Sequence, residues 1–440
     1  MEYALSLVFR GTVWIALFLG VSLAPLVFAL IGTTRPGQGF VTDFSVALGF
    51  VGLAMMGLEI ALVARFSAFA APFGAVSLLQ FHRHIGYLGL AFIVTHVMLS
   101  AEWGRLAALD LAAWPPYLWF GVLAFTSLIA LMVTSIWRTR LRLSYEAWHI
   151  AHSILAIVVM CAAVAHILFI NYYIDSPWKQ ALWVFMSASF VVLLVWMRII
   201  KPLRLRERPW RVESVAAERG RTTTLVLVPV GHGGFRFEPG QFAWFMFGLS
   251  PFAMTQHPFS ISSSAEVPGM LAVTIKALGD FTSRADEIKP GTTVFVDGPH
   301  GVFSIDQNEG PGFCFIAGGV GITPIMSMIR TIADRGDLRP VILFYANDTW
   351  EDVVFRDQIE ALRGKLSMRL VHVLGRPPDG WPGETGRVTR EILLRHLPPG
   401  FERFQFFVCG PMPMLEAVER SLLEIGARPE RVHTERFGWI

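Results

Sequence analysis

Charge is scarce in this 440-residue chain. Asp, Glu, Lys and Arg together make up 16% of it, against 53% hydrophobic residues. That is too apolar for an ordinary soluble protein. The net charge is only +3, and no basic tract with interleaved aromatics occurs, which gives no footing for a nucleic-acid partner. Cysteine is nearly absent: Cys161, Cys314 and Cys409 are too few and too scattered for a disulfide framework or a thiolate metal centre.

What is abundant is long apolar runs, and they are confined to about the first 200 residues. We count six spans, near 11–31, 44–64, 82–101, 118–137, 147–170 and 180–200, with Pro25 placed to kink the first. Arg10 before an apolar run faintly resembles a signal peptide. The run is long enough to span and no clear small-residue cleavage site follows, so a retained helix is expected. Arg10, Arg65, Arg83, Arg138, Arg140, Arg142, Arg198, Lys201, Arg204 and Arg206 fall in one set of loops, and only Arg35, Arg105 and Lys179 in the other. This asymmetry places both termini in the cytoplasm, in the inner membrane if the source is bacterial. Glu59, near the inner end of the second span, is expected to snorkel or pair rather than act.

The third and fifth spans carry histidines at a repeated interval. His82 and His96 are fourteen residues apart in FHRHIGYLGLAFIVTHVMLS, as are His152 and His166 in AWHIAHSILAIVVMCAAVAHILFI. Fourteen residues return to within about 40° of the same helix face after a rise of about 21 Å. A lone intramembrane histidine is readily explained as a hydrogen-bonder between helices. Two pairs, on two helices that run parallel, point instead to two stacked haems. His82 with His152 would hold an inner one, and His96 with His166 an outer one. His84 and His149 lie off these faces and are expected at the interface or behind the ligands, with His149 the nearer substitute. Arg83 and Arg142 are placed to meet inner haem propionates, and Arg105 outer ones.

The last 240 residues read as a soluble α/β protein. A basic, proline-containing linker, RIIKPLRLRERPWR (198–211), leaves the membrane and is suited to anionic lipid. RTTTLVLVPV, GQFAWFMFG, HPFSISSS, GMLAVTIKAL and TTVFVDGPHG follow as Gly- and Pro-punctuated strands of a small antiparallel β-barrel, with one helix-like insert, FTSRADEI. After about residue 311 the pattern becomes strand–loop–helix, a doubly wound parallel sheet. Its first loop, AGGVGITP, is not GxGxxG. Gly318, Gly319 and Gly321 nevertheless permit close approach to a pyrophosphate, with Thr323 expected as the helix N-cap and Pro324 in the first turn.

With HPFSISSS, GPHG, AGGVGITP and CGP in that order after six spans with paired histidines, nearly the whole chain resembles the ferric reductase and NADPH oxidase superfamily. The resemblance implies a membrane six-helix bundle with two haems (1–203), an antiparallel β-barrel binding FAD (204–308) and a doubly wound α/β nucleotide-binding domain for NAD(P)H (309–440). It assigns His257, Pro258, Phe259 and Ser260 to the flavin ring, with Ser262 and Ser263 extending the strand. Lys276 and Thr282 fall where relatives contact flavin phosphates, and Gly298 to Gly301 at a cofactor-lining turn. Gly318, Gly319, Gly321, Thr323 and Pro324 match the nicotinamide pyrophosphate loop. Cys409, Gly410 and Pro411 match the turn beside the nicotinamide ring. Glu435, Arg436 and Phe437 match a terminal motif whose aromatic covers the flavin, although here three residues follow, including Trp439.

The implied activity is electron transfer from cytoplasmic NAD(P)H through FAD and two bis-histidine b-type haems to an extracytoplasmic acceptor. Molecular oxygen would give superoxide; a ferric chelate would make the chain a metalloreductase. Animal oxidases have a histidine one turn beyond the outer ligand, where Ser100 stands here. A different class of reading is an electron-supply module for a periplasmic redox protein or a quinone, docking on SAEWGRLAALDLAAWPPY. Asp348 after the second strand of the nucleotide domain favours NADH by hydrogen-bonding a ribose, while Arg376 favours NADPH. No calcium-binding loop or regulatory domain is evident, so turnover is expected to need no activator.

Overall fold

The computed structural model describes residues 2–32, 35–64, 75–100, 114–248, 250–253 and 255–436. Arg65, Arg105, Phe437, Trp439 and most of the outer loop, residues 101–113, lie outside these. The chain divides into two compact units, Met1–Pro202 and Leu203–Ile440.

The first unit is helical: α1 (Glu2–Leu30), α2 (Phe40–Val63), α3 (Ala75–Ser100), α4 (Pro116–Ile136), α5 (Tyr145–Ile170) and α6 (Pro177–Val195). Its helix ends follow local chemistry. Ser144 caps α5 by accepting from the Ala147 amide at 3.2 Å, and Asn171 ends it in the left-handed region at φ 47°. Pro116 and Pro177 open α4 and α6, where a missing N–H costs nothing. Pro25 lies within α1. After α6 a π-turn, Trp196–Ile200, leads into α7 (Lys201–Arg206), so helix occupies much of what reads as a linker; Arg204 and Arg206 suit its C-terminal dipole.

Among the described residues five helical segments are long and apolar enough to cross a bilayer: Gly11–Leu30, Phe40–Val63, Pro116–Ile136, Tyr145–Ile170 and Pro177–Arg206. The third expected span, α3, has the length but falls short in hydropathy, because His82, Arg83, His84 and His96 stand among its apolar residues. Exposure is inverted relative to a water-soluble bundle. Phe185 and Val192 are 71% and 65% exposed, whereas Glu59 and Lys179 are buried. Lys179 is fully partnered, donating to Ala29 O (3.2 Å), Tyr173 O (3.4 Å) and Asp175 Oδ1 (3.3 Å). Such partners are what a buried charge requires.

The second unit begins with a six-stranded antiparallel sheet: β1 (Trp210–Glu218), β2 (Thr222–Pro229), β3 (Phe242–Phe247), β4 (His257–Ser260), β5 (Leu271–Lys276) and β6 (Thr293–His300), in the order β4-β3-β6-β1-β2-β5. An Ile261–Val273 bridge joins its two edges and closes it into a barrel around Phe245, Leu225, Val273 and Trp210. FTSRADEI contains a short 3₁₀ helix, Thr282–Glu287.

The rest is a parallel sheet, β7 (Phe313–Gly318), β8 (Val341–Asn347), β9 (Met368–Leu374), β10 (Glu384–Thr385), β11 (Gln405–Gly410) and β12 (Val432–Arg436), in the order β10-β9-β8-β7-β11-β12. One face packs on α8 (Ile322–Asp334) and α9 (Arg356–Arg363), the other on α10 (Arg390–His396) and α11 (Met412–Glu424). The strand order reverses between β7 and β11, and ligands of such sheets bind at the carboxyl ends beside that reversal.

Candidate functional site

The structure brings the four helical histidines together in two pairs. His82 of α3 faces His152 of α5 with ring centroids 6.5 Å apart, and His96 faces His166 at 6.4 Å. Two imidazoles that hold one metal from opposite sides, with metal–nitrogen bonds of about 2 Å, leave centroids roughly 6 Å apart. Each ring is oriented through Nδ1. His96 Nδ1 donates to Ser45 O (2.9 Å) and His166 Nδ1 to Tyr117 O (2.7 Å). Ser135 Oγ donates to Leu131 O at 2.7 Å and so accepts from His152 Nδ1 at 3.1 Å. His82 Nδ1 meets the Glu59 carboxylate. Among the described residues no hydrogen bond engages Nε2 of any of the four.

Glycines back the His96 and His166 rings. A Cβ on Gly49 would stand 3.1 Å from His96 Nδ1, and one on Gly121 only 2.8 Å from His166 Nδ1. Among the described residues no cluster of three or more His, Cys, Asp or Glu is poised for a bare metal ion. A haem brings four nitrogens of its own and asks the protein for two, which these pairs fit.

The neighbours sort themselves. His84 turns back to Gln80 O (2.7 Å). His149 Nε2 lies 3.2 Å from Arg198, which also donates to Ser153 Oγ at 3.0 Å. Arg83 is exposed and bonds Tyr87 OH at 3.2 Å, whereas Arg198 reaches into the bundle. Sequence reasoning passed over Ser45, Tyr117, Ser135, Gly49 and Gly121, which carry no pattern of their own. Glu59 did carry a signal, since an acid inside an apolar helix is functional by default.

On the barrel, β4 pairs with β3 in the register His257–Phe245, Pro258–Trp244, Phe259–Ala243 and Ser260–Phe242. His257 stacks on Phe281 at 3.7 Å and 10°. Ser262 Oγ donates to Ala272 O at 3.1 Å, and Ser263 Oγ accepts from the Ala272 amide at 3.1 Å, so both hydroxyls tie the strand to β5. Thr282 Oγ1 accepts from the amides of Leu278 (3.0 Å) and Gly279 (2.8 Å), shaping the loop after β5. Gly298 and Gly301 lie against Ala243 and Phe242.

At the carboxyl ends of the parallel strands is a cleft of about 390 Å³ lined by Lys276, Gly318, Gly319, Asn347, Asp348 and Arg387, among others. Lys276 thus stands with the nucleotide loop. The glycines of that loop have separate tasks. Gly319 takes φ +52° facing the cleft, while a Cβ on Gly321 would lie 2.3 Å from Cys409 O, so Gly321 lets the β7 and β11 turns cross. Thr323 is not the N-cap: α8 starts at Ile322 after Gly321, and Thr323 Oγ1, buried in the first turn, donates to Val320 O at 3.0 Å. Pro324 does lie in that turn.

Pro411 caps α11 and lines the cleft; Gly410 ends β11. Cys409 is buried opposite Glu435, and burial pushes its thiol well up. Burial likewise raises the Glu435 carboxyl to about 7. Asp348 pairs with Arg376, which holds its carboxyl below the usual range. Asn347, nine-tenths buried, turns an amide without a protein hydrogen-bond partner toward the same cleft.

Three family models match the chain in order: a ferric reductase like transmembrane component over residues 48–163, an FAD-binding domain over 222–304 and an oxidoreductase NAD-binding domain over 315–420. NADH-cytochrome b5 reductase 1 of Pyricularia oryzae is 33% identical over 175 residues, 38% of this chain and 57% of that protein. The reductase component of propane 2-monooxygenase from Rhodococcus jostii is 28% identical over 242 residues, 53% of this chain and 63% of that protein. The chain therefore spans about three fifths of the length of these curated relatives. The FAD/NAD-binding domain of a nitric oxide dioxygenase from Vibrio cholerae superposes with TM-score 0.47 at 23% identity, covering 52% of this chain and 98% of that one.

Proposed function

We infer, from a chain assembled in the order of a ferric reductase or NADPH oxidase-like fusion, that this membrane protein is a transmembrane oxidoreductase. It draws electrons from a nicotinamide nucleotide in the cytoplasm and delivers them singly to an acceptor outside, molecular oxygen or a ferric chelate. In this reading α1 to α6 are six spans with both termini cytoplasmic, residues 204–308 bind FAD and residues 309–440 bind the nucleotide. Bound FAD would turn an electron pair into single electrons, and bound haems would carry them one at a time.

The chain's own residues bind and orient. The observation that carries the reading is the pair of histidine pairs, each at bis-imidazole separation with Nδ1 engaged and Nε2 open. His82 with His152, and His96 with His166, would hold the haems. His257, Phe259 and Phe281 form the aromatic wall offered to the flavin. Gly319, Lys276 and the Asn347 amide are placed for the nucleotide's phosphates and sugar. The Asp348–Arg376 pair neutralises the arginine that would attract a 2′-phosphate, which favours NADH. Burial raises both the Cys409 thiol and the Glu435 carboxyl beside it, which reduces the negative charge at the end of β11.

An anaerobic absorbance spectrum of the purified, FAD-supplemented protein tests this, before and after NADH or NADPH and then with air or ferric chelate. We expect reduced bis-imidazole haem bands with NADH. Loss of the bands in air with superoxide formed selects oxygen, and persistence until ferric chelate is added selects the metal. Flavin bleaching without any haem signal overturns the reading.

A further inference from the structure

The two histidine pairs differ in what orients them. Both outer rings donate Nδ1–H to neutral backbone carbonyls, Ser45 O and Tyr117 O. The inner pair uses the Ser135 hydroxyl and, for His82, the carboxylate of Glu59. Glu59 comes from the neighbouring helix α2 and is only 8% exposed.

An acceptor on Nδ1–H makes Nε2 a stronger electron donor, and a carboxylate does so more than a carbonyl. A ferric haem carries one more positive charge than a ferrous one, so a buried anion beside its ligand favours the ferric form. Low local dielectric strengthens that preference. Arg198 acts in the opposite sense, but its guanidinium ends on His149 and Ser153, whereas Glu59 touches the ligand itself.

We propose that Glu59 is a positioning residue that makes the His82/His152 site the lower-potential of the two, so that electrons run downhill from the cytoplasmic pair to the outer pair. This rests on the ligation proposed above. It separates two sites that look equivalent by ligand type alone.

The test is an optical redox titration of the full-length, haem-loaded protein. Glu59→Gln keeps an acceptor for Nδ1–H and removes the charge. It should raise the lower of the two midpoints and leave the other in place, and Glu59→Asp should bring it back toward the wild-type value. Two haems retained with both midpoints unmoved, or a shift of the upper midpoint alone, would overturn the proposal. If Glu59→Gln sheds a haem, the assignment is read from His166→Ala, which removes the outer site. The remaining haem should titrate at the lower wild-type midpoint, and titration at the upper one would sink the idea. A wild-type protein without haem bands would overturn the ligation and this proposal together.

Discussion

His372 on β9 sits among Trp350, Tyr345 and Trp381, with neither ring nitrogen hydrogen-bonded. Burial lowers its pKa from 6.5 to about 4. The native state therefore keeps it neutral while the unfolded chain takes up a proton. Stability is whole above pH 6.5 and is lost as the pH falls from there through about 4. His433, also lowered to about 4 by burial, contributes in the same direction. Thermal unfolding of the second unit between pH 7 and pH 4.5 should show this decline, and His372→Phe should flatten part of it. At this scale the sequence was legible where side chains repeat. Four histidines at one interval declared their pairing, whereas Thr323 looked like a cap by type and is not one. A hydroxyl's partner depends on where the helix starts, and that start is set by the Gly321–Cys409 crossing, a tertiary contact.

Among the elements, α2 serves α3 and α4 serves α5, each supplying what fixes the histidine rings of its neighbour. Gly121 on α4 is the tightest such point, with 2.8 Å between a Cβ there and His166 Nδ1. Gly121→Ala must displace the ring from its bond to Tyr117 O. We expect haem content to fall from two toward one per chain, with the inner haem kept, and an overpacking cost of about 1–3 kcal/mol. Pyridine haemochrome assay against protein concentration checks this. The strand β1 was hidden in sequence by its place after a basic stretch; it pairs β2 from Trp210 to Glu218, with a register shift at Glu213. β12 was likewise unread, five partly buried residues whose partner, β11, supplies the apolar face. Conversely α3 was read as a span from its apolar run, although its histidines and Arg83 lower its hydropathy below that of the other five.

For the whole molecule, the order of parts was legible because each part announces itself by a different period: long apolar runs, alternating strands, then strand–helix repeats. The division into Met1–Pro202 and Leu203–Ile440 has a consequence that can be measured. The second unit, expressed alone from Leu203, should fold and bind FAD. It should also reduce ferricyanide with NADH, and it should contain no haem. A fragment that is insoluble or flavin-free would mean that the membrane helices are needed to complete it. The side chains that line the nucleotide cleft come from six separate stretches of the second unit, from Lys276 to Ala417, which is why no single motif revealed them.

The four Nδ1 bonds also say something about how the bundle is made. Among the described residues His82 and His96 are tied through Nδ1 to α2, and His152 and His166 to α4. Each tie lies within a hairpin of consecutive helices, and none crosses from one hairpin to the other. The rings can therefore be aimed as each hairpin inserts, before the two meet. If the pairs hold haems as proposed, each haem would join two hairpins whose rings are already aimed at it.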